Sequence, residues 1–140
     1  FSNEDKISSM AEDEFRGAIV NLPEVTISPN TKNLTLKISL PPRAKFEDEA
    51  PFEVKIKSNS TKIISVGQSD AKKPSSMIIF PIKKLTRGQA TVTVDLNLYY
   101  CSSGNRSLCF LKEARIIIPV KVAPGGKEKF AINYSIEERD

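Results

Sequence analysis

The chain has 140 residues, 39% of them hydrophobic and 27% charged, with a net charge of +4; this is the balance of an ordinary water-exposed domain with room for one sizeable core. Its lysines are scattered rather than gathered into a basic run, and most Phe and Tyr residues fall at core-facing strand positions, so nucleic acid is set aside as a partner. With no histidine and only two cysteines, neither a Ser-His-Asp or Cys-His arrangement nor a zinc site of the usual tetrahedral kind can be assembled.

The chain opens at Phe1 without a methionine and carries no signal-like or membrane-spanning apolar run. It therefore reads as a piece cut from a longer polypeptide, with any address label or membrane anchor elsewhere. Residues 1–24, which include the acidic stretch "NEDKISSMAEDEF", read as a linker or a short helix leading in from a preceding domain. The folded domain is expected over residues 25–140.

From there the apolar residues recur every second position, the period of half-buried strands. "VTI" at Val25–Ile27 is a short candidate; "LTLKISL" alternates Leu34, Leu36, Ile38 and Leu40 with polar residues; "FEVKI" places Phe52, Val54 and Ile56 on one face. "KIISV" at Lys62–Val66 and "MIIFPI" at Met77–Ile82 follow. "TVTVDLNLYY" then sets Val92, Val94, Leu96, Leu98 and Tyr100 on one side; "ARIIIPVKV" spans Ala114–Val122, and "FAINYSI" aligns Phe130, Ile132, Tyr134 and Ile136. Pro29-Asn30, Pro41-Pro42, Ala50-Pro51, Lys73-Pro74, Gly88 and Pro124-Gly125-Gly126 punctuate these runs as turns. The spacing predicts an all-β fold, an antiparallel immunoglobulin-like β-sandwich. Its core is expected from Leu34, Leu36, Ile38, Val54, Ile56, Val92, Val94, Leu96, Ile116, Ile118, Ile132 and Ile136. Pro119 has no N–H for a ladder, which predicts an edge strand or a bulge there.

Few stretches carry chemistry. "PGGKEKF" lacks the spacing of a phosphate loop and reads as a hairpin turn. Glu47, Asp48 and Glu49 lack the alternating ligands of a calcium loop and read as a solvated connection. No cofactor or metal is expected, and no hydrolytic or phosphoryl-transfer turnover. Asn33, Asn59, Asn105 and Asn133 match the N-glycosylation pattern, which keeps an extracellular adhesion module as an alternative. The remaining stretch is "NLYYCSSGNRSLCFLK". Cys101 closes a long strand, turn formers follow, and Cys109 begins the return, so the pair faces itself across the mouth of a hairpin. That placement permits a disulfide. Two roles stay open for it: a staple in an oxidising compartment, or an exchanging pair whose thiols Arg106 and Lys112 favour as thiolates, with Tyr99, Tyr100 and Phe110 shielding it from small thiols.

The segments "LNLYYCSSGNRSLCFLKEARIIIPVKV" and "LKISLPPRAKFEDEAPFEVKI" resemble the carboxy-terminal domain that follows a thioredoxin-like domain and an NHL β-propeller in the thioredoxin-like/NHL-repeat family. The resemblance covers roughly Val25 to Ile136. It implies a plant chloroplast protein anchored in the thylakoid membrane through other parts of its chain, with these domains in the lumen, that restrains photoprotective quenching in the light-harvesting antenna. Partners implied are the thioredoxin-like and NHL propeller domains of the same protein and a lumenal client. The family domain is similar in turn to the immunoglobulin-like domain of a bacterial membrane disulfide reductase, whose hairpin cysteines pass electrons by disulfide exchange. Cys101 and Cys109 map onto that pair. Seven residues separate them here, more than in the tighter bacterial hairpin.

Overall fold

A computed structural model describes residues 17–102 and 108–136; the first sixteen residues of the linker or helix expected over 1–24, and the hairpin tip with Arg106 and Asn105, lie outside them. Among the described residues ten strands and no helix form two facing sheets, and the expected all-β sandwich is present, its layout consistent with an immunoglobulin-like fold. At its centre lie β8 (Gly88–Ser102) and β9 (Leu108–Val122), fifteen residues each. They pair antiparallel in one unbroken register from Gly88↔Val122 to Ser102↔Leu108. β5 (Glu53–Ser58) and β4 (Ala44–Phe46) pair antiparallel with β8, while β1 (Ala18–Asn21) and β2 (Val25–Ile27) run parallel to β9. The second sheet has the order β10-β3-β7-β6, from Phe130–Ser135, Asn33–Ser39, Met77–Leu85 and Ile64–Val66.

Alternation explains why these segments pair. Val92, Val94, Leu96, Leu98 and Tyr100 of β8 are buried, as are Ala114, Ile116, Ile118, Val120 and Val122 of β9, whereas the residues between them face outward. Facing them, Leu34, Leu36, Ile38, Ile78, Phe80, Phe130, Ile132 and Tyr134 fill the inner side of the other sheet. Of the expected core, Val54 alone is only partly buried; the rest is enclosed. Burial of each large aliphatic side chain contributes about 1.5–3 kcal/mol, enough in sum to offset the ordering of the strands.

Four sequence expectations are revised. The sandwich begins before Val25, because Ala18–Asn21 is a strand seated on β9; Gly17 just ahead of it approaches so closely that a Cβ would collide with the Glu113 carbonyl oxygen. Parallel pairs also accompany the antiparallel ones, joining β1 and β2 to β9 and β10 to β3. Pro119 marks neither an edge nor a break in β9. The Leu22 N–H donates to the Ile117 carbonyl, so odd-numbered backbone groups here face β1 and β2, and the missing donor of Pro119 points at the step between those two strands rather than into the β8 ladder. That step absorbs one extra residue, since Asn21 to Val25 opposes Ile117 to Val120. Lastly, the Pro124-Gly125-Gly126 turn is no hairpin. It carries the chain from β9 across to β10 in the other sheet, with Gly125 at φ 86° and Gly126 so near Ile27 that a Cβ would sit 2.5 Å from its carbonyl carbon.

Leu96 is 1% exposed and Ile79 is 49% exposed, so the two positions answer differently to substitution. Leu96→Ala should lower the unfolding free energy by about 3 kcal/mol through lost burial and a cavity, and Ile79→Thr by less than about 0.5 kcal/mol, as read from urea midpoints at constant slope. Burial, with nearby Tyr100, pushes the Tyr134 phenol above its ordinary value. Because the folded value is raised, this contribution is full below about pH 10, the unfolded phenol's range, and is lost as pH rises through the folded value. Tyr134→Phe should flatten that alkaline loss in a stability-versus-pH series.

Candidate functional site

The β8/β9 register places Cys101 directly opposite Cys109, and the two form a disulfide with an S–S distance of 2.04 Å. The reason is local. Glu47 N–H donates to the Tyr99 carbonyl, and Leu22 N–H to that of Ile117, so odd-numbered groups of both strands point away from each other. Cys101 and Cys109 therefore occupy a non-hydrogen-bonded pair, where facing side chains come closest; their Cα atoms are 3.9 Å apart. Both side chains belong to the outer face, together with the pairs Tyr99/Leu111, Asn97/Glu113 and Asp95/Arg115. The last is bidentate, with Arg115 Nε 2.8 Å from Asp95 Oδ1 and Nη2 3.2 Å from Oδ2, and pins the register six residues from the disulfide.

Exposure is unequal across the bond. Cys109 is exposed and Cys101 half-buried. Cys101 is flanked by β4, with Lys45 opposite it, and by the turn beyond. There Glu47 Oε2 lies 3.6 Å from the Cys101 sulfur. A disulfide sulfur carries no proton, so this contact sets a carboxylate against sulfur without a hydrogen bond. The carboxylate is held in place, because its Oε1 accepts the N–H of Glu49 at 3.1 Å and its own N–H is tied to Tyr99 at 3.0 Å. The acidic run read as a mere connection thus delivers one carboxylate to the disulfide. Glu47, Cys101 and Cys109 bring three donor atoms within 4.8 Å of one another, but with the sulfurs bonded to each other neither is a thiolate able to bind metal.

The expected neighbours of the pair are redistributed. Tyr100 and Phe110 make a tilted ring contact with centroids 5.5 Å apart, yet their even positions put them on the inner face, opposite the disulfide, where they do not shield it. Tyr99 alone of the three aromatics shares its face. Lys112 pairs with Leu98 on that inner side and is not directed at the sulfurs; among the described residues, Lys45 and Glu47 are charged groups beside Cys101. An open groove of 390 Å³ starts at the next outer pair, lined by Pro51, Phe52, Glu53, Asn97, Tyr99, Leu111 and Glu113. In it the side-chain oxygen of Asn97 is buried without a partner. Beyond the start of β1 at Ala18↔Ala114, the outer edge of β9 from Leu108 to Glu113 has no paired strand among the described residues, and Leu108 and Leu111 are 52% and 40% exposed.

No protein-family model matches the chain, and no curated protein does. Among solved structures, a cysteine protease inhibitor from Entamoeba histolytica is similar at 18% identity and a TM-score of 0.36, covering 74% of this chain and 97% of its own. A likeness that distant says nothing of the disulfide.

The bond closes a loop with a sequence separation of 8, for which the chain-entropy relation gives about 2.5 kcal/mol. Replacing both cysteines with serine should lower stability by no more than about that amount while leaving the far-ultraviolet circular dichroism β-like, because neither cysteine belongs to the buried core. Loss of cooperative unfolding in the double variant would show that the fold depends on the bond.

Proposed function

We propose that this domain is a thiol–disulfide exchange module in which Cys101 and Cys109 trade electrons with a thioredoxin-like domain. The observation that carries the reading is the placement of the bond: it lies on the outer face at the end of the longest hairpin, outside the core, with Cys109 open to solvent. Exchange requires a thiolate to approach one sulfur in line with the bond, and exposure makes Cys109 the sulfur attacked. The adjoining groove with Tyr99 and Leu111, and the edge of β9 beside it that has no paired strand among the described residues, offer a docking partner both apolar contact and hydrogen bonds.

The resemblance of the hairpin and of the Lys45–Pro51 segment to the carboxy-terminal domain of the plant chloroplast protein Suppressor of Quenching supports a more specific setting. In it the thioredoxin-like and NHL propeller domains of the same polypeptide are the immediate partners, the site is the lumenal side of the thylakoid membrane, and the output is restraint of antenna quenching through a lumenal client. The alternative is a docking or adhesion module with a structural disulfide. It is favoured by the exposure of Asn33, Asn59 and Asn133, the three candidate glycosylation sites within the described residues.

A thioredoxin-like domain whose resolving cysteine is replaced by serine separates the two. Mixed with the oxidised domain, it should form a covalent adduct that peptide mass analysis places on Cys109. A redox titration should return a midpoint near the roughly −270 mV of thioredoxin. No adduct, together with a midpoint below about −300 mV, would assign the bond to the structural class.

A further inference from the structure

We infer that Glu47 is the acid–base partner of Cys101, holding a proton on that thiol in the reduced domain and taking it up when the disulfide re-forms. The inference rests on the exchange reading for its purpose but on geometry for its content. Among the described residues Cys101 is the sulfur with a carboxylate in hydrogen-bonding range, Glu47 Oε2 at 3.6 Å, a distance at which a thiol, once formed, donates a hydrogen bond to oxygen; Cys109 lies within 4.8 Å of the same group. The oxygen is not there by accident of a loose side chain. The other Glu47 oxygen is occupied by the Glu49 N–H, and the Glu47 backbone is tied to β8 at Tyr99, so the free oxygen is aimed at the sulfur by two fixed bonds.

The proton and electron inventory assigns the roles. A dithiol partner supplies the electrons. Its thiolate attacks Cys109 Sγ; a partner–Cys109 bond forms, the Cys101–Cys109 bond breaks, and the electron pair leaves on Cys101. A thiolate 3.6 Å from a carboxylate is disfavoured, so Cys101 takes a proton from solvent, relayed by Glu47, and rests as a thiol donating to it. The partner's second thiol then loses its proton and, as a thiolate, displaces Cys109, which leaves as a thiolate and takes up a proton equivalent to the one the partner released. Two electrons and two protons have entered the domain, and the partner is oxidised to its disulfide. In the reverse direction the Glu47 carboxylate accepts the Cys101 proton as that sulfur attacks the mixed disulfide. Cys101 is thus the internal, proton-linked sulfur and Cys109 the one that meets the partner.

Other charges near Cys101 set the background. Lys45 stands opposite on β4 and favours the thiolate; Asp48 and Glu49 follow Glu47 in the turn; on the same face Tyr99 precedes Cys101 on β8, and the nearest charged residue of β9 is Glu113, two outer pairs away. Arg106 lies outside the described residues.

The test needs no partner protein. In the full chain carrying Cys109→Ser, the rate of Cys101 alkylation is followed against pH to locate the thiol's titration. Adding Glu47→Gln, which keeps the shape and removes the charge, should lower that midpoint by about one pH unit, so that alkylation near pH 7 rises up to about tenfold. Glu47→Asp should give an intermediate shift, and Glu49→Gln, which removes an equal charge two residues on, a much smaller one. A Glu47→Gln profile that superimposes on the parent, or a Glu49→Gln shift as large, would overturn the assignment. Failure to trap a thioredoxin-like adduct alongside a clear Glu47→Gln shift would instead reject the exchange partner and leave the acid–base role of Glu47 standing.

Discussion

The β8/β9 ladder is the constraint on which the other features hang. Fifteen consecutive pairs in one register decide, residue by residue, what is inside and what is outside, because side chains alternate strictly along a strand. Slipping that register by one residue would turn Val94, Leu96 and Ile116 to solvent and bring Asp95 and Arg115 into the core, at the cost of several buried side chains and an unpaired buried charge. The same rule that buries the even positions lines the odd ones into a surface row that ends in the disulfide. Core and site are two faces of one hairpin.

Every other strand of that sheet is positioned by this pair. β5 attaches along the middle of β8, and β4 reaches only its last turns, from Tyr100 to Ser102. The chain then leaves β4 through Glu47, whose N–H still follows the β8 edge. This three-residue strand packs Ala44 and Phe46 against the core and, from its other face and the turn that follows, brings Lys45 and the Glu47 carboxylate to Cys101. At the far edge of β5 the Gln68 side chain both donates to the Ile56 carbonyl at 2.7 Å and accepts its N–H at 3.0 Å. It acts in place of a missing strand and closes an edge that would otherwise invite pairing. No such cover is seen on β9 from Leu108 to Glu113 among the described residues, which is the part of the sheet nearest the disulfide.

How far the sequence discloses this differs by element. β3, β8, β9 and β10 alternate over six or more residues, and their existence and inward faces are readable without coordinates. β1 is four residues long and pairs in parallel with a strand almost a hundred positions away, a partnership no local pattern encodes; an acidic stretch in front of it disguises it as linker. β4 is three residues long and is defined by what it lies against. Pro119 misleads because the rule against proline in a central strand concerns donors, and the position of the missing donor depends on which neighbour that residue faces. The cysteine pair is legible from its turn residues and from family resemblance. Glu47 is not, because an acidic run looks solvated until the 54-residue gap to Cys101 is closed by the β4/β8 pairing.

The exchange proposed for this pair requires that it be opened and closed without unfolding its host. Here the covalent bond sits at a non-hydrogen-bonded position, so breaking it removes no backbone hydrogen bond between β8 and β9. Neither sulfur is part of the buried cluster, so the thiols separate into the outer face and not into packed aliphatic chains, where the loss of close packing is most costly. The tilted Tyr100/Phe110 ring contact behind them and the backbone pairing of β4 with the end of β8 involve neither sulfur atom. The stabilisation tied to the bond is a few kcal/mol at most, acting largely on the unfolded chain, whereas the core that defines the fold lies elsewhere in the ladder. Oxidised and reduced forms are therefore both expected to be folded, which a redox cycle requires and a staple does not.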